Sequence, residues 1–413
     1  MDKNKTLNFI LRSNRRKVPM AGGSISLTST LTEEIITDIL IRLPVKSLTR
    51  FRSVSKEWLN FMKTPKFIAD HLRFSAQTNH CLILDRFYWN NCVCGQDFYL
   101  LLIQKNMLQK LPVPMVSESD MGAKIVGSCN GLVCVSHYSL DSASTISVWN
   151  PATRQIRRIP EPEIIFLPRK FPPYCLLGFC FNADHNAYEI VRIHCFEDGD
   201  SICWVNFISK IHVLRVEKFS LGTGLWTQVQ YSNFKAVYPK YDRQVPVYGT
   251  LLWTENCVVV HGILFWVATE VSEWFNLEWI VSFDSSREIL RKIAMPLDFN
   301  NYPQVHKKLA VCNESIAMLI CSETERLEYC MDVWVLDHST NDGLELWRKM
   351  QRVGFFSRLE RPIGIWKDEL VMATGEVIHG VGGFKAELPA VGGAEYSFNA
   401  LDYEESLVPC SWP

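Results

Sequence analysis

The residues best suited to metal binding or catalysis are fourteen cysteines and ten histidines. A zinc site needs such ligands in clusters, commonly as Cys-x-x-Cys pairs. No such pair occurs, Cys92-Val93-Cys94 stands alone, and other cysteines lie singly in apolar runs such as Leu132-Val133-Cys134-Val135. We therefore expect buried free thiols in a reducing compartment, with no metal and no cofactor.

Sequence motifs for enzymatic chemistry are absent as well. The chain has no Gly-x-Ser-x-Gly elbow, P-loop, dinucleotide-binding fingerprint or His-Glu-x-x-His motif. Acidic residues such as Asp184, Asp284 and Asp332 are predicted to occupy turns, where a carboxylate caps the local backbone. We therefore expect a non-catalytic binding protein.

Charge and hydropathy limit the classes of partner. The chain carries a net charge of −1, with +5 on residues 1–30, +3 on residues 31–73 and −9 on the remainder. A mildly acidic C-terminal part argues against nucleic acid, because phosphate binding needs a basic surface. No apolar run approaches the roughly 18 residues of a membrane span, and Leu7–Leu11 is too short for a signal peptide. We expect a cytoplasmic or nuclear protein.

Residues 1–29 lack periodicity, so we expect a disordered basic tail there. Its Arg15-Arg16-Lys17 cluster is either a nuclear signal or a solvated group of charges. Met20 is an alternative start site that the sequence leaves open.

Leu31–Leu72 has the pattern of a small all-α unit. Thr30-Leu31-Thr32-Glu33 has capping-box spacing, and apolar residues follow at helical intervals. Leu43-Pro44 is expected to end the first helix, two short helices follow, and Thr64-Pro65 is expected to begin a fourth. So few short helices cannot bury this many large apolar side chains, and the surplus favours a partner-binding surface.

From residue 80 onward, short apolar strands and turn signals form an imperfect repeat. Its clearest copy is Asn130-Gly131-Leu132-Val133-Cys134-Val135, followed by Val148-Trp149-Asn150-Pro151-Ala152-Thr153. About six copies predict an all-β propeller, in which each blade is a four-stranded sheet. Residues 374–400 are poorly patterned, so the sequence does not predict how the ring closes. The tryptophans inside strand patterns are expected to be core residues, namely Trp149, Trp226, Trp266, Trp334 and Trp347.

The helical unit resembles an F-box in its plant form. The resemblance rests on four segments: Leu31-Thr32-Glu33-Glu34-Ile35, Ile39-Leu40, Arg42-Leu43-Pro44-Val45-Lys46-Ser47-Leu48 and Phe51-Arg52-Ser53-Val54-Ser55-Lys56-Glu57-Trp58. Thr32 stands where the family usually has proline, and Ser53 where it often has cysteine. The resemblance implies docking to the S-phase kinase-associated adaptor of an SCF ubiquitin ligase and, through it, to cullin. It maps adaptor contact onto Leu31, Ile35, Ile39, Leu43, Pro44, Val45, Leu48, Val54 and Trp58, some of which must instead be internal core.

The β part resembles the plant F-box-associated, kelch-like domain. The matching segments are Gly127-Ser128-Cys129-Asn130-Gly131 with Trp149-Asn150-Pro151-Ala152-Thr153, then Gly178-Phe179 with Asn186–Arg192, and Tyr403–Val408. We therefore expect a basic tail over residues 1–29, an F-box over 30–75 and a propeller-like domain over 80–410.

Together the two resemblances imply the substrate receptor of a ubiquitin ligase, which holds a target protein for ubiquitination and proteasomal degradation. One alternative is a propeller that binds carbohydrate or a small molecule, with helices that mediate self-association. Another is an F-box protein that acts outside a ligase.

Two aromatic clusters are expected in loops, where they would either bind a target or fold onto a blade. The candidate target-binding residues are Phe87, Tyr88, Trp89, Trp274, Phe275 and Trp279.

Overall fold

The computed structural model describes residues 32–78, 81–89, 94–102, 107–115, 120–139, 145–161, 174–198, 210–229, 257–271, 276–296, 304–323, 328–337, 346–356, 361–366, 369–374, 376–391 and 395–411. The predicted tail lies outside these residues. The chain divides into two compact units, residues 1–43 and residues 44–413.

Helix α1, Glu33–Ile41, belongs to the first unit. The Oγ1 atom of Thr32 accepts a hydrogen bond from the Ile35 N–H at 3.5 Å, so Thr32 is the N-cap. The capping-box prediction therefore started the helix two residues too early, and its Thr30 lies outside the described residues. The helix ends before Leu43-Pro44, as predicted.

The second unit begins with α2 (Val45–Phe51), α3 (Lys56–Phe61) and α4 (Pro65–Thr78). Hydroxyl groups begin the last two helices: Ser55 accepts from the Trp58 N–H at 3.1 Å, and Thr64 accepts from the Phe67 N–H at 3.3 Å. The predicted start at Thr64-Pro65 is confirmed.

The strands that follow form six four-stranded antiparallel sheets, which confirms the predicted propeller. Each sheet is one blade. Blade 1 consists of β24 (Glu395–Tyr403), β1 (Cys81–Trp89), β2 (Cys94–Leu102) and β3 (Met107–Leu111); blade 2 of β4 (Asp120–Cys129), β5 (Leu132–Ser139), β6 (Thr145–Asn150) and β7 (Gln155–Arg158); blade 3 of β8 (Tyr174–Asn182), β9 (Ala187–Asp198), β10 (Lys210–Ser220) and β11 (Leu225–Val229); blade 4 of β12 (Val258–Val260), β13 (Ile263–Val271), β14 (Asn276–Asp284) and β15 (Ile289–Ala294); blade 5 of β16 (Gln304–Cys312), β17 (Ser315–Glu323), β18 (Tyr329–Asp337) and β19 (Leu346–Phe356); blade 6 of β20 (Arg361–Trp366), β21 (Glu369–Thr374), β22 (Val377–Gly380) and β23 (Lys385–Glu387).

The core lies in the seams between blades. Buried apolar clusters join blade 1 to 2, 3 to 4, 4 to 5, 5 to 6 and 6 to 1. Blade 2 meets blade 3 where Gly127 lies against Phe179, since a Cβ on this glycine would stand 3.2 Å from the Phe179 Cβ. The blades therefore form a closed ring.

Ring closure depends on the poorly patterned C-terminal stretch. Strand β24 pairs with β1 along its whole length, from Cys81 opposite Tyr403 to Trp89 opposite Glu395. The last strand of the chain therefore completes the first blade as its innermost strand, which removes an exposed sheet edge.

Tryptophan indoles connect neighbouring blades. The Nε1 atoms of Trp226, Trp266 and Trp347 donate to carbonyl groups of the preceding blade region, at Pro160, Leu177 and Ala294, over 2.7–2.8 Å. Trp149 and Trp266 are buried, whereas the other three predicted core tryptophans are half-buried. Tryptophan therefore contributes both apolar area and a directional bond at the seams.

The outermost strands of three blades carry basic pairs. These are Arg157-Arg158 on β7, Arg291-Lys292 on β15 and Arg348-Lys349 on β19. Charged side chains on an edge strand discourage pairing with another chain, which explains the apolar-basic pattern of the sequence repeat.

The turns at Gly131 and Gly262 occupy equivalent places in blades 2 and 4. Comparing them tests how the C-terminal segment packs against the Gly131 turn. Gly131 and Gly262 have φ angles of +78° and +76°, but only a Cβ on Gly131 would overlap a neighbour, namely Ser406 Oγ and Glu404 O. At Gly262 the nearest atom would be Phe181 O at 3.8 Å. We expect Gly262→Ala to lower the free energy of unfolding by about 1 kcal/mol through backbone strain alone. Gly131→Ala should cost about 3 kcal/mol or more, because overpacking adds to the strain.

Urea unfolding of both variants measures the difference. Equal losses of stability would contradict the packing of the C-terminal segment against the Gly131 turn.

The free thiols include Cys81, Cys129, Cys134, Cys180, Cys257, Cys312, Cys321, Cys330 and Cys410. Eight of these nine are buried and Cys129 is half-buried. Burial raises the pKa of Cys129 to about 12 and that of Cys134 still higher. These thiols serve as small apolar core groups.

Candidate functional site

Helix α1 presents apolar side chains to solvent. Ile35 is 47% exposed, Ile39 and Leu43 are half-buried, and Leu40 is buried at 2%. Asp38 and Arg42 form an exposed ion pair at 2.8 Å, and the hydrogen bond from Arg42 lowers the pKa of Asp38.

The helices of the second unit separate core from surface. Val45 and Leu48 are completely buried, so their side chains present no surface to a partner. Pro44 is exposed, Val54 is 50% exposed, and Trp58 is half-buried.

An aromatic pair supports this part of the surface. The Phe51 and Trp58 rings meet edge to face, with centroids 5.7 Å apart and planes at 82°. This contact fixes the orientation of Trp58, while Val54 lies in the turn after α2.

The structure thus separates the buried from the accessible members of the predicted adaptor-contact set, which the sequence alone could not do. Two of the nine, Val45 and Leu48, are core residues. The side chains of Ile35, Ile39, Leu43, Pro44, Val54 and Trp58 reach the surface of their own unit wholly or in part. Leu31 lies outside the described residues.

The first aromatic cluster on the propeller was predicted as a loop, and this is wrong. Phe87, Tyr88 and Trp89 are the last residues of β1, where they pair with both β2 and β24. Tyr88 covers Gly95 on the neighbouring strand, because its ring stands where a Cβ of residue 95 would be. Phe87 and Tyr88 are half-buried.

Of the second cluster, Trp274 and Phe275 lie outside the described residues. Trp279 is a half-buried strand residue of β14, not a loop residue. The Lys292 Nζ atom lies 3.7 Å from the centroid of its indole ring, so one face of this ring already has a cation–π partner.

Topology places the end of β1, with Phe87, Tyr88 and Trp89, and the start of β14 at one end of the propeller. Strands within a blade alternate in direction, so the connections leaving the second and fourth strands emerge at the same end. The end of β1 and the start of β14 lie there. We call this end the loop end.

A buried ion network joins blade 1 to blade 6. Arg86, which is 1% exposed, donates to Asp97, to the Tyr99 hydroxyl at 3.1 Å and to the Pro389 carbonyl at 2.7 Å. Burial would raise the pKa of Asp97, but hydrogen bonds from Lys110 and Arg86 outweigh this and hold it low. These hydrogen bonds connect the two blades at their seam.

Asp332 was predicted to lie in a turn, and this is wrong. It is a residue of β18 and not of a turn. It accepts hydrogen bonds from Lys349 at 2.6 Å and from Arg352 at 2.7 Å, both on β19. Asp284 does cap a turn, because its Oδ1 atom accepts from the Ser286 and Arg287 N–H groups at 3.0 Å.

Sequence reasoning did not find the central channel. A cavity of about 140 Å³ is lined by innermost strands of five blades, and its polar residues include Lys308, Asn399 and Asp402. Lys308 and Asn399 are 91 residues apart in the sequence, so no local pattern could signal their proximity.

Asp402 is reached by solvent in the channel but surrounded by protein, which raises its pKa from about 3.8 to about 6. A carboxyl whose pKa is raised on folding adds stability below its unfolded pKa, and this stability is lost as pH rises through 6. Asp402→Asn cannot ionise, so we expect it to be more stable than wild type at pH 8 by about 1 kcal/mol, allowing for solvent screening. The difference should vanish at pH 4. Urea titrations at the two pH values measure it, and a variant less stable at pH 8 would contradict this account.

Metal and membrane features were also sought in the described ranges. There, no three His, Cys, Asp or Glu side chains lie close enough to hold a metal ion. Among the described helices, none is both long and apolar enough to cross a bilayer.

Comparison with known families matches both parts of the chain. Residues 29–70 match the F-box domain, and residues 93–365 match the F-box associated beta propeller domain. Among related proteins of Arabidopsis thaliana, F-box protein CPR1 is 26% identical over 329 residues, which cover 78% of this chain and 72% of that protein. Putative F-box protein At3g16210 is 26% identical over 277 residues, or 66% of this chain and 62% of its own length.

Solved structures give a more distant likeness. A putative 6-phosphogluconolactonase from Bacteroides uniformis aligns with a TM-score of 0.35 and 10% identity, over 78% of this chain and 100% of its own. The domain matches, in contrast, cover both the helices and most of the blades. The chain belongs to the F-box proteins that carry an F-box associated beta propeller domain.

Proposed function

We propose that this protein is a substrate receptor of an SCF-type ubiquitin ligase. Its helices dock the S-phase kinase-associated adaptor, and its propeller holds a target protein for ubiquitination and proteasomal degradation. The observation that carries the proposal is the solvent exposure of Ile35 and Val54 inside the segment that matches the F-box domain. Single exposed apolar side chains are common on protein surfaces, so what matters is the position of these two within the F-box match, where the apolar groove of a partner would bury them.

The adaptor contact consists of the accessible members of the predicted set. They are Ile35, Ile39, Leu43, Pro44, Val54 and Trp58, and Leu31 joins them from the predicted set. Val45 and Leu48 support the surface from within the helical core. Burying Ile35 and Val54 against the adaptor contributes about 1–2 kcal/mol each from apolar area.

The propeller serves as a rigid platform for the target. Its loop end includes Phe87, Tyr88 and Trp89 at the end of β1 and the start of β14, the strand that contains Trp279. Trp274 and Phe275 complete the candidate set. Recognition residues concentrate on loops held by a rigid scaffold. The contribution to ubiquitin transfer is proximity, because holding the target beside the conjugating enzyme replaces a bimolecular encounter. The chain itself catalyses no step, and it works in the cytoplasm, the nucleus or both.

Co-expression with the adaptor and cullin tests this function. We expect the full chain to form a stable complex that contains all three proteins on a sizing column. A complex with adaptor that excludes cullin would indicate an F-box protein that acts outside a ligase. A homo-oligomer that does not bind the adaptor would favour the alternative, a ligand-binding propeller with self-associating helices.

A further inference from the structure

The central channel of the propeller contains a pair of hydrogen-bond donors on opposite strands. Lys308 lies on β16 of blade 5, and Asn399 lies on β24 of blade 1. The Lys308 Nζ atom donates to Asn399 Oδ1 at 3.2 Å, so the two side chains meet across the channel. Both line the cavity of about 140 Å³.

This contact fixes how the amide is oriented. An ammonium group has no acceptor, so the Asn399 oxygen must face Lys308 and the amide nitrogen must face away from it. Asn399 is 8% exposed, and among the described residues its Nδ2 atom has no hydrogen-bond partner. A buried donor without an acceptor is unfavourable, so a ligand that accepts a hydrogen bond from this atom would be stabilised here.

The nearby carboxylates leave room for an anion. Both oxygens of Asp85 are occupied, by Gln96 Nε2 at 2.6 Å and by the Ile125 N–H at 3.2 Å. Asp402 lies three residues beyond Asn399 on the same strand, roughly 10 Å away at the usual rise per residue. The Asp85 carboxylate also interacts with the charge of Lys308, but because its oxygens are occupied, the ammonium and the amide are the pair of donors that can face an anion in the cavity.

We propose that the channel binds a small oxyanion, a carboxylate or a phosphate, between the Lys308 ammonium and the Asn399 amide. The anion accepts one charge-assisted bond from Lys308 and one bond from Asn399 Nδ2. The cavity suits such a ligand in size, because about 150 Å³ accommodates a molecule as large as benzene.

The test is a calorimetric titration of the full chain with sodium acetate and, separately, with inorganic phosphate, at constant ionic strength set by chloride. We expect saturable binding of at least one probe, and the probe that binds distinguishes a carboxylate site from a phosphate site. Lys308→Met should weaken binding at least tenfold. Asn399→Asp should do the same, because it keeps the side-chain shape but replaces the open donor with a carboxylate oxygen.

Lys385→Met is the matched control, since Lys385 pairs with Glu387 on the exposed outer strand of blade 6. It should bind the probe as wild type does. The proposal is overturned if neither probe binds saturably to wild type. It is equally overturned if the folded Asn399→Asp variant binds with wild-type affinity.

Discussion

Asn150→Leu is expected to lower the free energy of unfolding by about 4 kcal/mol. Asn150 is completely buried. Its Nδ2 atom donates to the Val408 carbonyl at 2.8 Å and the Ser406 carbonyl at 3.1 Å. Its Oδ1 atom accepts from the N–H groups of Ala152 and Thr153, both at 3.0 Å.

The size of this effect follows from the number of groups that lose a partner. A typical intramolecular hydrogen bond contributes about 1 kcal/mol, and a buried group left unpaired costs about 1–3 kcal/mol more. Leucine keeps the number and branching of the heavy atoms of asparagine but leaves two carbonyl groups and two N–H groups without their partner. The loss therefore falls on the turn of blade 2 and on the C-terminal segment at once.

Asn150→Asp separates these two contributions. An aspartate still accepts from Ala152 and Thr153, but it cannot donate to the C-terminal carbonyl groups and sets a negative charge beside them. We expect it to destabilise nearly as much as leucine and to speed proteolysis within residues 404–411. Urea unfolding and timed proteolysis measure both. A loss below about 1 kcal/mol for Asn150→Leu would show that the segment is not held in this way.

The second large effect is expected in adaptor binding. Ile35→Asp and Val54→Asp should each weaken adaptor binding about 30-fold or more, since a charge replaces an apolar anchor at a desolvated contact. Both residues are about half exposed in the free chain, at 47% and 50%. The melting temperature should therefore change little, which distinguishes lost binding from lost folding.

Leu225→Asp provides the matched control for these substitutions. Leu225 is 65% exposed on β11 of the propeller, far along the chain from the F-box match. It should bind adaptor as wild type does. If all three variants lose affinity equally, the effect reflects a general property of the protein and the assigned contacts are wrong.

The blade count could be predicted from the sequence because blades are local structures. Turn signals such as Asn130-Gly131 and His261-Gly262 lie at the same place in blades 2 and 4, and both pairs adopt positive φ angles in the structure. Apolar alternation between the turns then defines each strand. The starts of α1 and α4 are predicted by local signals of the same kind. For α1 the N-cap is Thr32, two residues after the predicted Thr30.

The rest depended on contacts distant in sequence. The Phe87–Trp89 stretch resembled a loop because it is aromatic and precedes polar residues, yet pairing with β24, about 300 residues away, extends β1 to Trp89. Which F-box residues are buried likewise depends on helix packing and not on spacing alone. The Lys308–Asn399 contact joins blades 5 and 1 across the channel, so no sequence window contains it.

The most direct test of the proposed function is a calorimetric titration of purified adaptor into the full wild-type chain. The account predicts one saturable site with one adaptor per chain. It also predicts a negative heat-capacity change, because the exposed apolar groups of the F-box helices become buried. Absence of saturable binding, or binding that persists at wild-type affinity in an Ile35→Asp/Val54→Asp double variant, would contradict it.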